Sequence, residues 1–447
     1  MNDTVFALST PVGGAITIMR ITGPNSLALL KRFTTCRTEH RRVSYGRMTD
    51  EQGETVDVIT AVYFAAPNSY TGEDMAEVFL HGSYAVAKRV NALFAASGLA
   101  HPAEPGEFTK RAYLNGKMDL AQAEAVMDLI SSTAERQRRA AQLQLEGRLS
   151  AVLGGLYERV KASCALLSAA MDDDTDEIDL DTAALADELN SVREDLARLT
   201  EGGLRAKVLR EGARIAIIGS PNVGKSSLLN ALLCRERSIV TDIPGTTRDT
   251  VEESADIEGV PVVFVDTAGI RKTEDTVEKL GIERSEREKA NADMVLLLID
   301  GSRGITCEDI SIINGLDTAG GQKVLVLLTK SDLEHCVDPA CEALCCLQTM
   351  RISALTGDGM TELRRRIASS IAPEERDPVL TNTRHITLLE EAAERLSAAS
   401  AQLNAGETDI AFLEMRGAMD DIAAVTGRED PSEELIDSIF AGFCVGK

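Results

Sequence analysis

The chain has 447 residues, 44% apolar and 26% charged, a globular balance with length for about three domains. No window approaches the ~20 consecutive apolar residues of a membrane-spanning helix, and the opening MNDTVFALST carries an early Asp and no basic region, so neither a helical membrane protein nor a secretory signal is expected. Lys and Arg total 47 against 71 Asp and Glu, a net charge of −24 that repels phosphate backbones except at a local basic patch or through a partner, while nine scattered cysteines suit a reducing cytoplasm.

Residues 1–115 read as mixed strand and helix. Ala15–Ile21 alternates, is rich in β-branched residues and ends at Gly23-Pro24; Val56–Phe64 and Met75–Leu80 are further strands. Pro and Gly clusters at 11–14, 67–72 and 102–106 separate them. From Asn115 the period changes. Leu120, Ala123, Met127, Ile130 and Ala134 mark one amphipathic helix, Leu149 to Leu167 a second and Leu185 to Leu199 a third. Between the last two, Asp172–Glu177 is an acidic run that reads as a solvated loop or helix start, with a carboxylate metal site as the alternative.

Residues 210–372 return to an α/β rhythm. Strands at Arg214–Ile218, Val262–Asp266, Val295–Asp300 and Val324–Leu328 are each followed by polar, helix-compatible stretches, which predicts a parallel sheet. Pro373 and Pro378 mark a linker. Residues 373–447 are helical again: Ile386 to Ala399, Ile410 to Val425, then Asp430-Pro431-Ser432-Glu433 as N-cap, N1 proline and N3 glutamate of a last helix. The α/β module is thus inserted between two helical segments, 116–209 and 373–447, that pack as one bundle.

The chemistry concentrates in the insert. Gly219-Ser220-Pro221-Asn222-Val223-Gly224-Lys225-Ser226 matches G-x-x-x-x-G-K-S, follows a strand and opens a helix at Ser227. Its backbone N–H groups face phosphates, Lys225 brings a point charge to them, and the Ser226 hydroxyl reaches Mg²⁺. Asp266-Thr267-Ala268-Gly269 ends a strand; the Asp is placed to hold Mg²⁺ through water and the Gly to meet the γ-phosphate. In Thr329-Lys330-Ser331-Asp332, the Asp accepts from guanine N1–H and N2–H₂, which adenine cannot offer, and the Lys stem covers the base. Ser353-Ala354-Leu355 suits backbone contact to guanine O6. Motif order therefore selects GTP. Thr329 stands where N-K-x-D has Asn, and its hydroxyl is expected to tie this loop to the phosphate loop.

Thr241-Asp242-Ile243-Pro244-Gly245-Thr246-Thr247-Arg248-Asp249 occupies the switch I position, where one Thr completes the Mg²⁺ shell. After D-T-A-G comes Ile270, which cannot orient water as the Gln of Ras-like proteins does. Hydrolysis needs another group, and Glu274, Asp275, Glu278 and Glu283 are the carboxylates in reach of that segment.

G-T-T-R-D, D-T-A-G-I-R and the terminal Phe443-Cys444-Val445-Gly446-Lys447 together resemble the MnmE (TrmE) family, the tRNA uridine 5-carboxymethylaminomethyl modification GTPases. Met19-Arg20-Ile21-Thr22-Gly23, Tyr70-Thr71-Gly72-Glu73-Asp74 with His81-Gly82, Pro105–Ala112 and Met118–Ala125 resemble the family's N-terminal motifs, so the likeness covers essentially the whole chain. The loop Pro11–Gly14 departs from it, one residue short and without the family's arginine. The resemblance implies an N-terminal α+β folate-binding and dimerisation domain (1–115), a helical bundle domain in two parts (116–209 and 373–447) and an inserted Ras-like P-loop GTPase domain (210–372).

The same resemblance implies site roles. Arg20, Glu77 and Lys117 would hold a formyl-tetrahydrofolate, joined by Lys447 of a tail that reaches the pocket across a constitutive homodimer. Ser226 and Thr247 would ligate Mg²⁺; Asn222, Thr241, Ile243 and Thr246 would hold K⁺; Glu278 would position the attacking water. It further implies tRNA as substrate and a flavin-dependent partner, MnmG (GidA), in a heterotetramer. A regulatory RNA- or ribosome-associated GTPase switch fits the GTPase motifs alone, without the folate-domain motifs or the tail. Arg136-Gln137-Arg138-Arg139 is a basic cluster on a helix, read either as a solvated face or as a contact for tRNA.

Overall fold

A computed structural model describes residues 3–171, 180–233, 252–266, 292–316, 323–338, 343–371, 380–428 and 431–446. The acidic run 172–177, the switch I segment 241–249, Thr267–Gly269, Ile270, Glu274, Asp275, Glu278, Glu283, Pro373, Pro378, Asp430 and Lys447 lie outside the described residues. The chain forms two compact units: Met1–Met127 with Leu145–Lys161 and Met419–Lys447, and Asp128–Gln144 with Ala162–Ala418.

The first unit holds strands β1 (Val5–Leu8), β2 (Ile16–Thr22), β3 (Ser44–Thr49), β4 (Thr55–Phe64), β5 (Met75–His81) and β6 (His101–Pro102), in the spatial order β3-β4-β5-β2-β1-β6. Alternation along β2, β4 and β5 turns Met19, Ile21, Ile59, Ala61, Val78 and Leu80 to one buried face. Helices Ser26–Phe33 and Tyr84–Ala96 supply Leu29, Leu30, Phe33, Val90 and Phe94 to the same core, with the Phe94 ring edge-on to Phe6 at 5.5 Å. β1 and β3 are strands that the periodicity does not predict; each is four to six residues and lacks a clear alternation of apolar side chains. Helix Leu120–Ser131 starts at a reciprocal cap: Gln122 N–H donates to Asp119 Oδ1 at 2.8 Å and Asp119 N–H to Gln122 Oε1 at 3.0 Å. At the tail, the hydroxyl of Ser432 accepts from Leu435 N–H at 3.2 Å, so Ser432, not Asp430, is the N-cap of helix Glu433–Ala441 and Pro431 precedes the cap.

The second unit holds β7 (Ala213–Gly219), β8 (Glu252–Ile257), β9 (Val260–Asp266), β10 (Met294–Asp300), β11 (Lys323–Thr329) and β12 (Gln348–Arg351), ordered β12-β11-β10-β7-β9-β8. Five strands run parallel, among them the four expected from the sequence; β8, which the sequence pattern does not predict, is antiparallel to β9 at the edge. The reason is local: the turn Glu258-Gly259, with positive φ at both residues, makes β8 and β9 a hairpin. β10 is buried at all seven residues, with Leu296 and Leu298 in one core and Val295, Leu297 and Ile299 in the other, as a strand covered on both faces requires. Helices Thr182–Glu211 and Thr383–Ala405 pack on each other, Asn190 Nδ2 donating to Ser400 Oγ at 2.9 Å, so the two helical segments that flank the insert do meet.

Candidate functional site

The carboxyl ends of the parallel strands carry the nucleotide motifs. In the order of this sheet the chain leaves β7 toward β9 on one side and β10 on the other, and the crevice at such a reversal is where open α/β sheets bind ligands. β7 ends at Gly219, whose φ of 151° and contact with the Leu298 carbonyl, 2.5 Å from where a Cβ would stand, exclude any side chain. Asn222 follows at φ 63° and Gly224 at φ 103°, and helix Lys225–Leu233 then begins with Ser226 and Ser227 in its first turn. This alternation curls successive backbone N–H groups toward a helix N-terminus, the arrangement that binds phosphate. Lys225 Nζ donates to the carbonyls of Gly219 and Ser220 at 2.6 and 2.9 Å.

The loops that carry the candidate base-recognition motifs are joined to it. The Thr329 hydroxyl donates to the Val223 carbonyl at 2.8 Å, beside the Ile299 carbonyl at 3.2 Å, so threonine performs the tie expected of it. Lys330 takes φ 59° and pairs with Asp300 at 2.6 Å. Burial pushes the Asp300 carboxyl up, but hydrogen bonds from Lys330 and Ser302 outweigh it and hold the group below the usual carboxylate range. Asp332 Oδ1 accepts from the Ser353 hydroxyl at 2.6 Å, while Ser331 N–H donates to the Ile352 carbonyl at 3.1 Å. Ser353 is buried and Leu355 exposed, with Ala354 between them. Asp266 ends β9 at the same edge. The structure thus brings Asn222–Ser227, Asp266, Thr329–Asp332 and Ser353–Leu355 to one end of one sheet.

Asp309 is a residue that the motifs miss. It is the N3 residue of helix Cys307–Asn314, its carboxylate accepting from the N–H and hydroxyl of the N-cap Thr306, and its other oxygen accepts the Ser220 hydroxyl. Burial raises its pKa, and the bonds from Ser220 and Thr306 with the nearby Arg303 bring it below the ordinary value. The sequence signal was present as the capping pattern Thr306-x-x-Asp309. The basic cluster on the helix Glu135–Leu145 faces solvent: Arg136, Arg138 and Arg139 are exposed, and Arg138 pairs with Glu135 at 2.7 Å on that surface.

In the first unit, Arg20 and Glu77 are direct cross-strand partners on β2 and β5, and the guanidinium donates to Glu77 Oε1 at 2.8 and 3.0 Å. The Arg20 Cζ lies 5.5 Å from the centre of the Tyr70 ring and 5.6 Å from that of Phe108. The tail closes on this group. The Gly446 carbonyl accepts from Ser9 Oγ at 3.1 Å and Arg20 Nη1 at 3.4 Å, Val445 bridges to Pro105, and a Cβ on Gly446 would stand 2.3 Å from the Leu8 carbonyl. Within the chain, residues 444–446 reach Arg20, and Ile436, Phe440 and Phe443 anchor the last helix against Leu120 and Ala123. Lys117 is exposed and donates to the Pro67 carbonyl at 3.0 Å; it forms no hydrogen bond with Arg20 or Glu77.

In the same unit, Arg111 is buried with three carboxylates. Its guanidinium donates to Glu107 at 2.6 Å, Asp3 at 3.0 Å and Glu73 at 3.2 Å. Burial lowers its pKa, but those three anions raise it above the usual value. Glu73, Glu107 and Arg111 belong to sequence motifs that do not encode their meeting.

Two family models match the chain: the GTP-binding protein TrmE N-terminus over residues 4–117 and the MnmE helical domain over residues 120–444. The tRNA modification GTPase MnmE of Aquifex aeolicus is 41% identical, with all of both chains aligned. Its namesake in Geobacter metallireducens is 40% identical over all of both chains, and that of Lactiplantibacillus plantarum 38% identical over all of this chain and 98% of its own. With a phosphate loop, a guanine-type loop and full-length identity of this order, the chain belongs to the MnmE family of tRNA modification GTPases and is a GTP hydrolase.

Proposed function

We propose that this protein hydrolyses GTP under K⁺ stimulation to gate the addition of a carboxymethylaminomethyl-type group to C5 of the tRNA wobble uridine, with a folate one-carbon unit and a flavin-dependent MnmG (GidA) partner. The division into 1–115, 116–209 with 373–447, and 210–372, the homodimer and the cytoplasmic location belong to the same reading. The observation that carries it is Arg20, paired with Glu77 and flanked by two aromatic rings at the point where the tail ends. A guanidinium for carboxylate, a carboxylate for N–H donors and ring faces for stacking fit a pteridine with a glutamate arm. Arg20, Glu77, Lys117 and Lys447 would hold that folate, which when bound supplies the one-carbon unit.

At the GTP end, Asp332 selects guanine and Lys225 exchanges its two backbone carbonyls for phosphate oxygens. Ser226 with Thr247 would hold Mg²⁺, and Asn222 with Thr241, Ile243 and Thr246 would hold K⁺; the cations supply positive charge against the charge developing on the γ-phosphate. Asn222 fits that role by its exposed position and left-handed backbone at the tip of the phosphate loop. Glu278 would orient the water, a task Ile270 cannot perform. Mass spectrometry of tRNA nucleosides from a deletion strain tests the reading: the modified wobble uridines are expected to vanish and to return on complementation. Unchanged wobble uridines would sink it.

A further inference from the structure

Within a chain of net charge −24, residues 31–47 hold six Lys or Arg against one acid, Glu39. All six cations are exposed. Arg32 pairs with Glu51 and Arg42 with Glu39, each on the surface. The side chains of Arg37 and Arg47 meet no carboxylate among the described residues. The fold gathers them. Thr35 N–H donates to the Arg47 carbonyl and Arg47 N–H to Thr35 Oγ1, both at 2.9 Å, and Arg37 N–H donates to Ser44 Oγ at 2.7 Å, so residues 35–37 run along the edge strand β3. On β3, Gly46 and Met48 are buried, and Tyr45 and Arg47 share the outward face. Tyr45 is 77% exposed and Val43 63%. An exposed aromatic ring thus sits beside two arginines whose charge no carboxylate among the described residues neutralises.

We infer that the face formed by residues 35–37 and β3, centred on Arg37, Tyr45 and Arg47, is a contact surface for the tRNA; this rests on the proposed function for the identity of the polyanion. Arginine forks match phosphate oxygens bidentately, and an exposed aromatic ring offers a stacking face to an unpaired base. In a chain that repels polyanions elsewhere, a local patch also sets the orientation of approach. An acidic protein would be met by the cations without use for the Tyr45 ring, and a membrane surface calls for an amphipathic helix, which a six-residue edge strand is not.

The test is fluorescence anisotropy of the full chain with unmodified tRNA over a salt titration, with tRNA-free GTP turnover as the control for folding. Arg37→Ala with Arg47→Ala is expected to weaken binding at least tenfold and to lower the slope of log affinity against log salt by roughly two, one for each phosphate contact. Tyr45→Ala is expected to weaken it roughly fivefold with the slope unchanged. The charge-retaining pair Arg37→Lys with Arg47→Lys should keep the slope. Wild-type protein that binds no tRNA, variants that bind it as wild type does, or tighter binding to phosphatidylserine vesicles than to tRNA would each overturn the surface. If wobble uridines still depend on the protein in that event, the proposed function stands without it.

Discussion

In the second unit the cation Lys225 is held by two backbone carbonyls, whereas in the first unit Arg20 and Arg111 are held by carboxylates. A carbonyl that loses its ammonium to a phosphate leaves no buried charge behind. A carboxylate that loses its arginine does, and truncating one partner of a buried ion pair costs far more than the pair contributed. Lys225 can therefore change partners during a reaction cycle. Arg111, enclosed by Glu107, Asp3 and Glu73, cannot, and its role is to hold the N-terminal sheet to helix Glu107–Leu114. Arg20 lies between the two cases, with one carboxylate, one tail carbonyl and a partly exposed guanidinium. Exchangeable charge marks the ligand sites, and locked charge the scaffold beneath them.

The sharpest way to break that contrast is at Asp332, which is fixed by Ser353 and exposed to ligand. A site built to hydrogen-bond one ligand group rejects an analogue lacking it by about 10⁴-fold. Asp332→Asn is expected to erase GTP preference on that scale and to favour xanthosine triphosphate, read by competition binding. Equal affinity of the wild type for ATP and GTP would contradict the assignment. Next in size is Arg111→Met. It strands three carboxylates and is expected to cost about 3–5 kcal/mol. A chain of two units has no single unfolding free energy, so hydrogen exchange is the measurement: protection should fall across β1, β2 and helix Glu107–Leu114, while β7 and β10 keep theirs. Uniform loss, or none, would show that the arginine is not the local lock.

These two residues also mark what the sequence could disclose. Asp332 was legible because the proposed base-reading residues are contiguous in one loop, following a strand with strong apolar runs. The phosphate loop is legible for the same reason: one turn of backbone does the binding, and glycine and lysine spacing encodes it. Arg111 was visible only as part of a motif, since its partners Asp3, Glu73 and Glu107 converge through pairing of distant strands, which no local period records. The register of β2 against β5 likewise decides that Arg20 faces Glu77. β8 turned back as a hairpin because two residues adopted positive φ, a backbone choice that Glu258 does not announce.

A third test asks whether Arg20 belongs with the exchangeable charges. If folate is its ligand, Arg20→Ala removes charge-assisted hydrogen bonds worth about 1.5–3 kcal/mol. Calorimetry should then show formyl-tetrahydrofolate binding at least roughly tenfold weaker with GTP affinity unchanged. Folate affinity equal to wild type would place Arg20 with Arg111 as scaffold.

The smallest effect concerns Asp309, a locked carboxylate inside the exchangeable site. It holds the Ser220 hydroxyl, and the Ser220 carbonyl in turn accepts from Lys225, so the helix Cys307–Asn314 steadies the phosphate loop at one remove. Asp309→Asn keeps the shape, but its single amide oxygen cannot accept from both Thr306 and Ser220, and the attraction to Arg303 is lost. Weakening this capping box costs up to about 1 kcal/mol, or roughly fivefold in GTP affinity if the strain is passed to the loop. Because Asp309 acts on the loop and not on the base, GTP and xanthosine triphosphate should weaken together, unlike the Asp332 variant. The pH dependence has a definite sign. A carboxyl whose folded pKa is depressed contributes stability that is complete above its unfolded value, about 3.9, and is lost as pH falls through the folded value. The wild-type tether should therefore be constant from neutral pH down to about pH 5 and fail only under stronger acid. A GTP affinity that fell already between pH 8 and 6 in wild type, and not in Asp309→Asn, would mean that Asp309 titrates there and that its carboxylate is not locked.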